Sequence, residues 1–193
     1  MQQIFKSFTV FSLMALLGII SLGLAPVSAQ GNVLDLHPLI DGAAIGDADV
    51  VEYWLKRGTQ PNISDEENRT PLIYGALAGS PEIVAMLLER GAQLDLKDKF
   101  GLTALAVAAA GGKISVVEIL LEAGAKPNVQ NKYGQSPLML AAKSGWLDVV
   151  QLLLDRGADA AMLDYTGRGA LGWSDEGRNR SVRRVLEKAG ARE

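Results

Sequence analysis

The sequence predicts an all-α solenoid of about five helix-turn-helix units, each 33 residues long. Three observations carry this expectation. Gly58, Gly91, Gly124, Gly157 and Gly190 follow one another at intervals of 33 residues without a gap. Asp65, Asp98, Asn131 and Asp164 keep the same interval, and so do Leu87, Leu120, Leu153 and Leu186. Within each interior unit, aliphatic residues fall at i, i+1, i+4 and i+5, as in Val116-Val117 and Leu120-Leu121, which places them in one wide stripe on a helix. Composition agrees with a cored fold: 48% of the 193 residues are hydrophobic, 21% are charged and the formal net charge is −3. Neither a disordered chain nor a strongly cationic nucleic-acid binder has that balance.

The first element precedes the repeats. Residues 1–29 carry one basic residue, Lys6, then an apolar run from Phe8 to Leu24, then Pro26 and the small-residue pattern Val27-Ser28-Ala29. This reads as a secretory signal peptide cut after Ala29, leaving Gln30 as the mature N-terminus. The competing reading is an uncleaved membrane anchor, for which the run is at the short limit and is interrupted by Thr9, Ser12, Ser21 and two glycines. No cysteine occurs in the chain, so lipid attachment at cysteine, disulfides and thiolate metal sites are excluded, and the single histidine, His37, excludes a multi-histidine site.

The units then follow in order across residues 30–193. The first, about 32–64, departs from the pattern and serves as an N-terminal cap, with His37-Pro38-Leu39 at its start and Asp41, Asp47, Asp49 and Glu52 supplying charge. Units 65–97, 98–130 and 131–163 begin their first helices at Thr70-Pro71-Leu72, Thr103-Ala104-Leu105 and Ser136-Pro137-Leu138. A hydroxyl caps the helix, and proline at the first helical position loses no hydrogen bond. The first helix is short, as in Pro137–Ser144, with a small-residue face such as Ala141 and Ala142. Gly79, Gly112 and Gly145 turn the chain into the second helix, and Gly91, Gly124 and Gly157 end it in left-handed geometry. The last unit, 164–193, is a C-terminal cap in which Gly169-Ala170-Leu171 replaces the triplet and Arg183-Arg184 enter the former core stripe.

A 33-residue period with a Thr-Pro-Leu triplet resembles the ankyrin repeat, over essentially all of the mature chain. The resemblance implies protein–protein recognition through the turns and the concave face of first helices. A short signal segment, no cysteine and one compact array are similar to the small exported ankyrin proteins of Gram-negative bacteria, which implies a periplasmic home, an extracellular one remaining open. The function expected is therefore non-enzymatic binding of a partner protein in the cell envelope. An inhibitor or immunity-type partner of an exported enzyme is the alternative, and a membrane-anchored scaffold is a third if the signal segment is retained. A monomer without cofactor or metal, without nucleic acid and without stable membrane insertion completes the expectation.

Several patterns compete with this reading and are absorbed by the repeat. Gly167-Arg168-Gly169-Ala170-Leu171-Gly172 matches a dinucleotide-binding fingerprint but falls in a repeat turn with no strand before it. Asn62, Asn68 and Asn179 begin formal glycosylation sequons, yet asparagine is an ordinary turn residue. The recurring Asp65, Asp98 and Asp164 are expected to bond local backbone rather than pair for catalysis. What exceeds the needs of the scaffold lies at the turn tips and beside them: Arg69, Lys99, Phe100, Leu102, Lys132, Tyr133, Gln135, Tyr165 and Arg168, with Lys143 and Trp146 extending the row. Exposed aromatics and arginines of this kind make binding hot spots. Charge is also segregated, with eight acidic and two basic residues between Gln30 and Asn68 but four acidic and seven basic between Tyr165 and Glu193.

Overall fold

The computed structural model describes residues 37–176 and 179–191, apart from the side chain of Glu176. The expected signal segment 1–29 and Arg178, one of the basic residues counted between Tyr165 and Glu193, lie outside the described residues. Among those described, helices come in five pairs: α1 (Pro38–Ile45) with α2 (Ala48–Lys56), α3 (Pro71–Ala78) with α4 (Pro81–Glu89), α5 (Ala104–Ala110) with α6 (Ile114–Glu122), α7 (Pro137–Ser144) with α8 (Leu147–Asp155), and α9 (Ala170–Glu176) with α10 (Arg180–Lys188). No strand forms among them; one isolated bridge joins Leu163 to Gly169 in the last turn.

Each boundary has a local cause. The Thr70, Thr103 and Ser136 hydroxyls accept from the backbone N–H three residues on, at 3.3, 3.2 and 3.4 Å. His37 does the equivalent job in the first unit, its Nδ1 accepting from Leu39 N at 3.1 Å. Gly79, Gly112 and Gly145 then leave the helix with φ of 72°, 67° and 81°, where a side chain would be strained. Asp47, Ser80 and Asn179 cap the second helices, whereas Lys113 and Trp146 occupy that position without a capping bond.

First helices stack on first helices, from α1 through α9, and second helices on second helices, from α2 through α10. The core lies between the two layers, where Leu72, Leu105, Leu138, Ile83, Leu87, Leu120 and Leu153 are almost wholly buried. Where the two helices of a pair meet, the residues are Gly42, Gly75, Ala108 and Ala141; a Cβ at Gly75 would already stand 3.0 Å from Ile83. The apolar stripe is narrower than the sequence implies. Leu87, Leu120 and Leu153 are inaccessible, but Leu88, Leu121 and Leu154 are only half-buried, because the i+5 position has rotated to the margin of the interface. The last first helix, α9, is the element with the weakest sequence signal, and it forms in register with the other four.

Candidate functional site

Each projecting turn is organised by one side-chain oxygen. Asp65 Oδ1 accepts from Glu67 N and Arg69 N at 2.9 and 2.8 Å, and Asp98 Oδ1 from Phe100 N and Leu102 N at 2.8 Å each. Asn131 and Asp164 repeat the arrangement on Tyr133 and Gln135 and on Thr166 and Arg168. A short acceptor suits this place because the two N–H groups converge across the turn. Successive turns are also joined by backbone bonds: Lys99 N to Glu67 O at 2.7 Å, Lys132 N to Phe100 O at 2.9 Å and Tyr165 N to Tyr133 O at 3.2 Å. Gly101 and Gly134 permit that approach. Both have positive φ, and a Cβ on them would meet Lys132 N at 2.8 Å and Tyr165 N at 2.6 Å. The tip aromatics are thus held at fixed spacing with their rings outward, Phe100 38%, Tyr133 61% and Tyr165 74% exposed.

Nine residues after each organising oxygen, the first helix carries Tyr74, Val107, Leu140 or Trp173. The two rings reach back to the second carboxylate oxygen: Tyr74 Oη donates to Asp65 Oδ2 at 2.7 Å, and Trp173 Nε1 to Asp164 Oδ2 at 3.0 Å. Burial pushes both carboxyls up. The bonds from Tyr74, Arg69 N and Glu67 N to Asp65, and from Thr166, Arg168 N and Trp173 to Asp164, outweigh that and hold both below the usual range. Cations cover the same rings: the Arg69 guanidinium lies 6.0 Å from the Tyr74 centroid, and Lys143 and Arg168 lie 4.5 and 4.6 Å from that of Trp173.

Val107 and Leu140 are smaller than the rings on either side and bind no turn oxygen. A largely apolar depression of about 500 Å³ opens over them, walled by Leu77, Phe100, Leu102 and Tyr133, with Gln135 at its edge. Phe100, Leu102, Tyr133 and Gln135, all singled out by sequence, therefore share one groove. Leu77, Val107 and Leu140 were missed, because an aliphatic residue on a helix reads as core until its neighbours in the period are seen to be rings.

The remaining sequence candidates are placed differently. Lys99 pairs with Glu67 and lies 5.1 Å from the Phe100 ring. Arg69 stands 3.8 Å from both Glu67 and Asp98, tying the second turn to the third. Lys132 is exposed, and Tyr165 lies over Gly134. Trp146 does not join the tip aromatics. It sits at the start of α8, its ring over Gly112 and its Nε1 donating to Ala110 O at 2.9 Å, the place Lys113 takes over Gly79 and Asn179 over Gly145. Lys143 flanks Trp173 rather than a Trp146 patch. The sequon asparagines serve the scaffold: Asn62 bonds Gln93 N and Gly91 O in the next unit, Asn68 takes a positive φ and Asn179 caps α10. Among the described residues, no group of three or more His, Asp or Glu side chains is placed to hold a metal ion, and no helix is long and apolar enough to cross a membrane.

A family model described as "Ankyrin repeats (3 copies)" matches residues 39–131 and 123–192. No match is found among curated proteins.

Proposed function

Since this chain belongs to the ankyrin-repeat family, whose fold is a non-catalytic scaffold for protein–protein contact, we propose that it binds a partner protein in the bacterial cell envelope through its tips and first-helix face. The observation that carries this is the groove over Val107 and Leu140, an exposed apolar surface bordered by aromatics on backbone-tethered turns. Rings held before binding lose little conformational freedom on association, which is the condition for a hot spot. The turn oxygens of Asp65, Asp98 and Asp164 are committed to backbone N–H groups, in keeping with a role in shape rather than reaction chemistry. Export rests on the N-terminal apolar run and the Val27-Ser28-Ala29 pattern. In this reading the partner is met in the periplasm, by a chain that begins at Gln30.

The test compares the native protein with a Phe100→Ala, Tyr133→Ala double variant whose helix content is checked by circular dichroism. An envelope protein retained by the first and lost by the second, with affinity reduced by about 2 kcal/mol or more, supports the proposal. Equal retention would move the binding face elsewhere on the array. Intact-mass measurement on the exported protein checks the cleavage after Ala29.

A further inference from the structure

One helix start in the array is built differently from the others. Thr70, Thr103 and Ser136 cap the first helices of the second, third and fourth units with hydroxyls, and Asp47, Ser80 and Asn179 cap second helices with side-chain oxygens. α1 is capped by the imidazole of His37, whose Nδ1 accepts from Leu39 N at 3.1 Å. That bond fixes the tautomer: the proton of the neutral ring is on Nε2, and the Nδ1 lone pair faces the helix. A second contact holds the ring in place, since Trp54 of α2 meets it edge to face with centroids 5.3 Å apart. The residue is nevertheless exposed, so a proton reaches it without any opening of the fold. Protonation at Nδ1 removes the acceptor and sets a positive charge against the N–H end of a helix, where cations are disfavoured. Imidazole is the side chain whose charge ordinarily changes between pH 5 and 8, and His37 is the single histidine of the chain.

The surroundings do little to offset that charge. On α1 itself, Asp41 lies four residues on; it attracts an imidazolium but cannot replace the lost acceptor. α2 carries Asp49, Glu52 and Lys56, of which Glu52 and Lys56 pair at 2.8 Å, and Arg57 at its end donates to Tyr53 Oη at 3.1 Å. α3, the other helix packed on α1, has no charged residue, and Arg69 in the turn before it faces Glu67 and Asp98. His37 joins no ion pair among the described residues. Partial burial pushes the imidazole below its ordinary pKa. A group lowered in this way contributes fully above its unfolded value of about 6.5, and the contribution disappears as pH falls through the folded value. We propose that His37 is a pH-sensitive latch on the N-terminal cap: when acid protonates it, the first helix pair opens more often while the units that follow keep their form. Asp65 and Asp164, held below the usual carboxyl range, answer only in stronger acid, so the two responses are separate. His37 is no part of the groove over Val107 and Leu140, and the latch does not depend on the binding role.

The protein supplies its own control, because Thr70 and Thr103 stand where His37 does in the next two units. The test compares the full chain with His37→Thr, which installs that hydroxyl cap, and with His37→Ala, which leaves α1 uncapped. Amide hydrogen exchange over residues 38–56 is read at about pH 7.5 and about pH 5, each variant against the native protein at the same pH so that the intrinsic exchange rate cancels. At the higher pH the native protein should match His37→Thr within about twofold. At the lower pH its first helix pair should exchange at least about threefold faster than that of His37→Thr, the lower part of what a cap contributes, with residues 71–155 alike in the two. His37→Ala should exchange faster than His37→Thr at both. The imidazole C–H resonance, unambiguous in a chain with one histidine, should titrate with a midpoint below about 6.5. A ratio of native to His37→Thr that is the same at both pH values, a change shared by all units, His37→Ala indistinguishable from His37→Thr, or a midpoint above about 6.5 would each overturn the latch.

Discussion

The second and fifth units and the two units between them solve the same turn in two ways. In all four, one oxygen of Asp65, Asp98, Asn131 or Asp164 gathers two backbone N–H groups. The second polar atom is free to differ. On the flanks it takes a ring donor, from Tyr74 or Trp173. In the middle, Asp98 Oδ2 faces Arg69 at 3.8 Å and Asn131 Nδ2 turns to Gln135, so the first helices can carry Val107 and Leu140 instead. The difference separates what the scaffold requires from what it leaves open. One oxygen makes the turn, and everything beyond it shapes the surface.

The comparison holds only if the middle is as solidly cored as the flanks, and the largest expected effects test that. Leu120→Ala and Leu87→Ala each remove a fully buried side chain and should cost about 2–5 kcal/mol in denaturant titration. Leu121→Ala, half-buried at the margin, should cost visibly less than Leu120→Ala in the same experiment. A cheap Leu120→Ala would make the groove a symptom of loose packing rather than a built surface.

A smaller effect isolates the ring on its carboxylate. Tyr74→Phe removes the bond to Asp65 and keeps the ring, and about 1.5 kcal/mol should be lost, the low end for a bond to a charged group because the pair is only half-buried. The mirror change, Val107→Tyr, enlarges an almost buried side chain and should cost about 1–3 kcal/mol in the same titration.

Acid should separate the units further. Asp65 and Asp164 have folded pKa values below the ordinary carboxyl value. Their contribution is therefore complete above the unfolded pKa of about 3.8 and disappears as pH falls through the folded values. Melting followed from pH 6 to pH 2 should fall more steeply in the native protein than in an Asp65→Asn, Asp164→Asn variant. The smallest effect belongs to the exposed tip: Lys99→Ala loses a surface ion pair with Glu67 and should shift stability by no more than about 0.5 kcal/mol.

Much of this was written in the chain. The glycine period, the hydroxyl-proline helix starts and the turn oxygens each act on a backbone a few residues away, so identity and spacing were enough to place five helix pairs and their caps. Phe100, Leu102, Tyr133 and Gln135 also stood out, because nothing in a turn explains an apolar or aromatic residue there. The neighbours of Trp146 and Lys143 could not be read in the same way: both look surplus in sequence, yet one covers Gly112 in the preceding unit and the other covers Trp173 in the next.

Only the stacking of units decided those partners, and with them the site. Sequence determined the repeat because its rules are local: capping, chain reversal and helical periodicity act within one unit. The tertiary structure decided that Leu120 is buried while Leu121 is marginal, and that Phe100 O receives Lys132 N. It also decided that the step from Tyr74 to Val107 and from Leu140 to Trp173 leaves a groove. These are relations between one unit and the next, fixed by how one helix pair rotates and rises against its neighbour, a geometry that no residue specifies alone.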